Sequence, residues 1–144
     1  MPTQPVGNEG FITDLDIRIF LRDTDPAANV LIKDLEYAPE EIRTAMTLAV
    51  DLWNETPPSV AVYNINNFPF RRHFLLETTA NLLMISAARF RRNSLTLSIT
   101  GGSVNDQDKA GPYEAASLRL HQEFMGWMMS KKVEMNTAMG WGWI

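Results

Sequence analysis

Apolar residues along this chain recur mostly at three- and four-residue spacing, the period of a helix that buries one face. The pattern begins at Ile17, Phe20 and Leu21, behind a T-D-L-D stretch in which Thr13 offers an N-cap hydroxyl and Asp16 an acid three positions on. A short helix is predicted there, ended by the turn-rich DTDPAAN. In VLIKDLEYA the apolar run is too short for periodicity to choose between a strand and an irregular lead-in. A second helix is predicted from Pro39, which suits the first helical position, with Glu40 and Glu41 where the helix dipole favours acids. Its apolar stripe is Ile42, Ala45, Met46, Ala49 and Trp53, and it must stop before Pro57 and Pro58. Beyond the loop SVAVYNINNFP, the longest periodic segment runs from about Arg71 to Arg91 and is the expected central helix. Its small residues Thr78, Ala80, Ala87 and Ala88 let a neighbouring helix approach closely.

The period then changes. SLTLSIT alternates polar and apolar, which places Leu95, Leu97 and Ile99 on one face of a predicted strand that ends at Gly101 and Gly102. Two partners are open to such a strand: an internal hairpin with part of 60–66, or the edge of an adjacent subunit, which would make those three residues interface contacts. A polar loop leads to Pro112, again suited to a helix start. Tyr113, Ala116, Leu120, Phe124, Trp127 and Met128 follow at helical spacing, with Lys131 and Lys132 at the expected C-terminal end. The predicted architecture is mainly α: a bundle of about four helices with a short strand or hairpin excursion and extended termini. It divides into a flexible arm over 1–12, a helical domain over 13–135 with a strand or loop insertion at about 94–111, and a C-terminal tail over 136–144.

At 144 residues the chain fits one domain that needs no staples, and with no cysteine it has no disulfide, thiolate metal site or thiol nucleophile. The start MPTQPVGNEG lacks the basic-then-apolar pattern of a signal peptide, and no segment reads as a membrane span. The net charge of -4 argues against general electrostatic binding to nucleic acid. Two basic clusters run against that balance: Arg71 and Arg72 in FRRHF, Arg91 and Arg92 in RFRRN. They fit either protein interfaces and helix ends or phosphate contact, and the acidic total favours the first. His73 and His121 stand without a neighbouring acid or nucleophile in any recognisable pattern, which favours structural or surface roles. In NDQDKAGPYEAAS, Asp106, Asp108 and Gly111 imitate the start of a calcium loop, but Ala110 and Ser117 occupy positions where oxygen and glutamate ligands are required. Gly101-Gly102-Ser103 lacks the context of a phosphate loop, and the Asn54-Glu55-Thr56 sequon stands in a chain with no mark of secretion. Nothing calls for a cofactor, a metal or a catalytic group.

The chain closes on Met139-Gly140-Trp141-Gly142-Trp143-Ile144, where two glycines can bend to deliver two indoles. Those rings either fold back on the domain's own core or dock on another surface, and the enrichment of Trp at binding hot spots favours docking by Met139, Trp141, Trp143 and Ile144.

In order, the segments DIRIFLRDTDPAANVLI, EIRTAMTLAVDLWNETPP, LLETTANLLMISAARFRRNSLTLSITGGSVNDQDK and the Tyr113 helix ending in KKVEMNTAMGWGW resemble the small virion proteins of tailed phages that serve as head-to-tail connectors, or adaptors. The resemblance covers nearly the whole chain from Thr13 on. It implies a helical protein, not an enzyme, made in the host cytoplasm and built into the virion neck. It further implies a homo-oligomeric ring of about twelve copies docked under the portal protein, with a neck or tail-completion protein on the tail side and the genomic DNA passing through the lumen. Other neck, tail or baseplate components, and a small DNA-binding or packaging factor using the four arginines, are the alternative readings.

Overall fold

The computed structural model describes residues 12–25, 27, 36–99 and 107–141, without the side chains of 93–99, 107–109 and 139–141. Among the described residues the chain forms four α-helices and no strand: α1 (Asp14–Leu21), α2 (Pro39–Glu55), α3 (Arg71–Ile99) and α4 (Gln107–Trp141). Residues 1–11 of the expected 1–12 arm, residues 30–35 of the VLIKDLEYA lead-in, Gly101, Gly102, Asp106, and Trp143 with Ile144 lie outside the described residues.

Local chemistry fixes the first two helices. Thr13 Oγ1 accepts from the Asp16 amide at 3.2 Å while Asp16 Oδ2 accepts from the Thr13 amide at 2.9 Å, the reciprocal cap that T-D-L-D predicts. α1 ends where Arg22 takes a left-handed backbone (φ 59°), which lets the Asp23 amide donate to Arg18 O at 2.9 Å and the Arg22 amide to Ile19 O at 3.2 Å. Asp23 is buried and accepts from Arg18 Nη1 (2.9 Å), the Glu36 amide (2.7 Å) and the Tyr37 amide (3.1 Å), so one carboxylate pins the end of α1 to the lead-in of α2. α2 starts at Pro39 as expected and buries Ile42, Ala45, Met46, Ala49, Val50 and Trp53.

The core centres on Trp53. Its Nε1 donates to Ala61 O at 3.0 Å, and the rings of Tyr63, Phe68, Phe70 and Trp127 surround the indole at centroid distances of 5.3 to 5.9 Å. Asn54 holds the same loop by exchanging two bonds with the Tyr63 backbone, at 2.8 and 3.0 Å, so the sequon asparagine is already engaged within the fold. α3 is the central helix, packed against both α4 and α2. Ser117 Oγ donates to Ala80 O (2.7 Å) and Asn81 Nδ2 to Ala45 O (3.0 Å), tying all three together at one level.

Several expectations are corrected. Residues 94–99 continue α3 rather than form a strand, so the hairpin with 60–66 is not formed. The alternation of Leu95, Leu97 and Ile99 is only three apolar positions long, and with no Gly or Pro before Gly101, extending an existing helix is easier than starting a strand. Arg89, Arg91 and Arg92 therefore lie within α3, not at its C-terminal end. α4 begins at Gln107, ahead of Pro112, which removes one helical hydrogen bond in the second turn without stopping the helix. At the other end α4 runs on to Trp141, through the first part of the expected tail, so Lys131 and Lys132 are also interior.

Candidate functional site

At the level where Ser117 and Asn81 bind the helices together, α2, α3 and α4 leave an open cleft of about 330 Å³. α2 contributes Leu48 and Leu52, α3 contributes Glu77, Ala80, Asn81 and Met84, and α4 contributes Ser117, Leu118 and His121. The spacing of 77, 80, 81 and 84 on α3 and of 117, 118 and 121 on α4 is the i, i+3, i+4 spacing that lines one helix face. Leu48, Met84 and Leu118 are each about half exposed (50%, 48% and 53%), so the cleft carries an apolar rim that no described residue covers.

Its polar element is Glu77, only 2% exposed on a face of α3 otherwise occupied by Phe74 and Ala80. Glu77 Oε1 lies 2.8 Å from His121 Nδ1, across the α3–α4 seam. Its Oε2 is buried with no hydrogen-bond partner. Burial pushes the Glu77 carboxyl up, against the opposing pull of the His121 bond and charge. An acid joined to Nδ1 of a histidine is the orienting half of an acid–base triad, and Ser117 stands one turn before His121. The Ser117 hydroxyl, however, donates to Ala80 O and makes no bond to His121 among the described residues. The arrangement combines apolar walls, one buried acceptor and a half-exposed imidazole.

The arginine clusters do not merge into one surface. Arg71 opens α3 and meets Asp16 of α1 at 3.4 Å; Arg91 lies about 30 Å along the same helix, at about 1.5 Å per residue, and meets Glu114 of α4 at 2.6 Å. Arg72 and Arg92 are exposed. Arg89 acts structurally, donating to Glu36 O (3.1 Å) and Glu41 Oε2 (2.8 Å) at the start of α2.

His73 stacks face to face on Trp127, with centroids 3.9 Å apart and planes 6° apart, and burial together with the Arg72 charge holds its pKa down. That is the structural role expected of it. For His121 the sequence reading missed the acid, because Glu77 stands far away in the chain. The signal was an acidic residue in phase with the apolar stripe of the central helix, three positions after Phe74. Lys132 was likewise misplaced. It is fully buried, donates to the carbonyls of Trp53 and Thr56, and stands 4.9 Å over the Trp53 ring, supplying from α4 the positive charge that the last turn of α2 lacks.

The side chains of Leu95, Leu97, Ile99, Met139 and Trp141 fall outside the described residues, although their backbones end α3 and α4. Among the described residues no group of His, Asp and Glu could hold a metal ion, and no helix is long and apolar enough to cross a membrane. Comparison with protein families, with curated proteins and with solved structures finds no match.

Proposed function

We propose that the chain is a virion structural protein, a head-to-tail connector that assembles as a ring under the portal, joins capsid to tail and surrounds the passage for the genome. The reading begins from the resemblance of the chain from Thr13 on. The observation that carries it is the distribution of uncovered apolar side chains. Leu15, Ile19 and Phe20 stand exposed on α1, while Leu48, Met84 and Leu118 stand exposed around the cleft. A ring built by rotation needs two different surfaces on each subunit, one for each neighbour, and besides α1 and the cleft rim the described residues also expose Val62 and, on α4, Met129 and Val133, so apolar area for such contacts is spread over the domain. The pairing of Arg71 with Asp16 and of Arg91 with Glu114 leaves less positive surface for the DNA-binding alternative.

The test is light scattering on the purified chain, alone and mixed with the portal assembly of its own phage. A complex holding about twelve copies per portal is expected. Absence of any complex across a range of salt concentrations, with salt-sensitive binding to duplex DNA instead, would reverse the assignment.

A further inference from the structure

We propose that the cleft between α2, α3 and α4 receives the tryptophan-bearing C-terminal segment of a second copy of this chain, the indole N–H donating to Glu77 and the ring lying between Leu48, Met84 and Leu118. The inference rests on the homo-oligomeric part of the reading above and adds which segment meets which site.

The cleft itself states what it lacks. Its volume, about 330 Å³, is at the small end of ligand pockets and suits one large side chain rather than a helix. Its rim is apolar and uncovered, and its one buried oxygen without a partner, Glu77 Oε2, needs a hydrogen-bond donor. A cation would bring the donor but not the apolar body, and an aliphatic side chain the reverse. Tryptophan brings both: a wide apolar ring with a single N–H and no acceptor. Trp53 and Trp127 are held in the core, whereas Trp141 and Trp143 stand among Met, Gly and Ile with no charged residue after Glu134.

The chain's own tail cannot fill its own cleft. From His121, at the cleft, α4 continues as helix to Trp141, a distance of about 30 Å at about 1.5 Å per residue. Trp143 is two residues farther, which extends at most about 7 Å back. The occupant must therefore come from another molecule. A tail leaving one subunit and entering the next is a head-to-tail contact, the kind that closes into a ring. Glu77 Oε2 is shielded within the cleft. The indole reaches it once the Glu77 carboxyl or the half-exposed His121 ring rotates, both motions of side chains alone.

The test is fluorescence anisotropy of a dye-labelled peptide with the sequence of residues 136–144, titrated into the full chain carrying Trp141→Ala and Trp143→Ala so that no resident tail competes. Saturable binding is expected. It should weaken about tenfold or more with Leu118→Asp, a half-exposed position whose change leaves the core intact. It should weaken comparably with a peptide carrying 1-methyltryptophan at both positions, which keeps the ring and removes the donor. No saturable binding, or binding that Leu118→Asp leaves unchanged, overturns the proposal. A methylated peptide that binds as tightly as the parent overturns the pairing with Glu77. None of these results depends on portal protein, so failure here is read separately from failure of the connector assignment.

Discussion

Three residues carry consequences that can be measured one at a time. Arg22 is exposed and holds a left-handed backbone that a side chain disfavours, so Arg22→Gly should stabilise the fold by about 1 kcal/mol, read as a higher urea midpoint at unchanged slope. Lys132 gives two bonds to carbonyls at the end of α2, and Lys132→Met keeps the apolar stem while leaving those carbonyls unsatisfied. A loss of about 2 kcal/mol is expected, since relief from burying a charge offsets part of the lost bonds. Glu77 has its pKa raised above the ordinary value of 4.5. A carboxyl held above its unfolded value stabilises the fold fully below that value, and the contribution is lost as pH rises through the folded pKa. The stability of Glu77→Gln relative to the parent should therefore grow between pH 4.5 and neutrality. Denaturant melts at several pH values in that window would show it, and a constant difference would mean that the carboxyl titrates normally.

At the scale of elements, what could be read in advance was what is local. The Thr13–Asp16 cap, the Pro39 start and the Arg71 start depend on residues within one turn, and each lies where the pattern places it. The C-terminal end of α3 and the start of α4 were not legible, because a run such as SLTLSIT satisfies strand alternation while leaving a preceding helix free to continue. Positive Cα and negative Cβ secondary chemical shifts across 94–99 are expected, and the opposite signs would restore the strand. The Glu77–His121 contact and the Lys132 cap join residues on different helices, and no single-helix pattern contains them. Only the anomaly of a charge inside an apolar stripe pointed toward either.

At the scale of the molecule, the three longer helices meet around two centres of different character. One is the closed aromatic cluster around Trp53; the other is the open cleft around Glu77. Stability belongs chiefly to the first, and association is assigned to the second, so Leu118→Asp should change self-association without lowering the unfolding midpoint by more than about 0.5 kcal/mol of stability. The Lys132 ammonium also has a meaning in time. During synthesis the last turn of α2 leaves the ribosome long before the side chain that neutralises its carbonyls, and until then Trp53 lacks both that cation and the Trp127 ring. Nascent chains arrested before Lys132 emerges should be cut readily by protease around 53–70, and chains carrying a linker long enough to bring Lys132 out of the exit tunnel should resist, so that the earlier helices are ordered by a residue translated well after them.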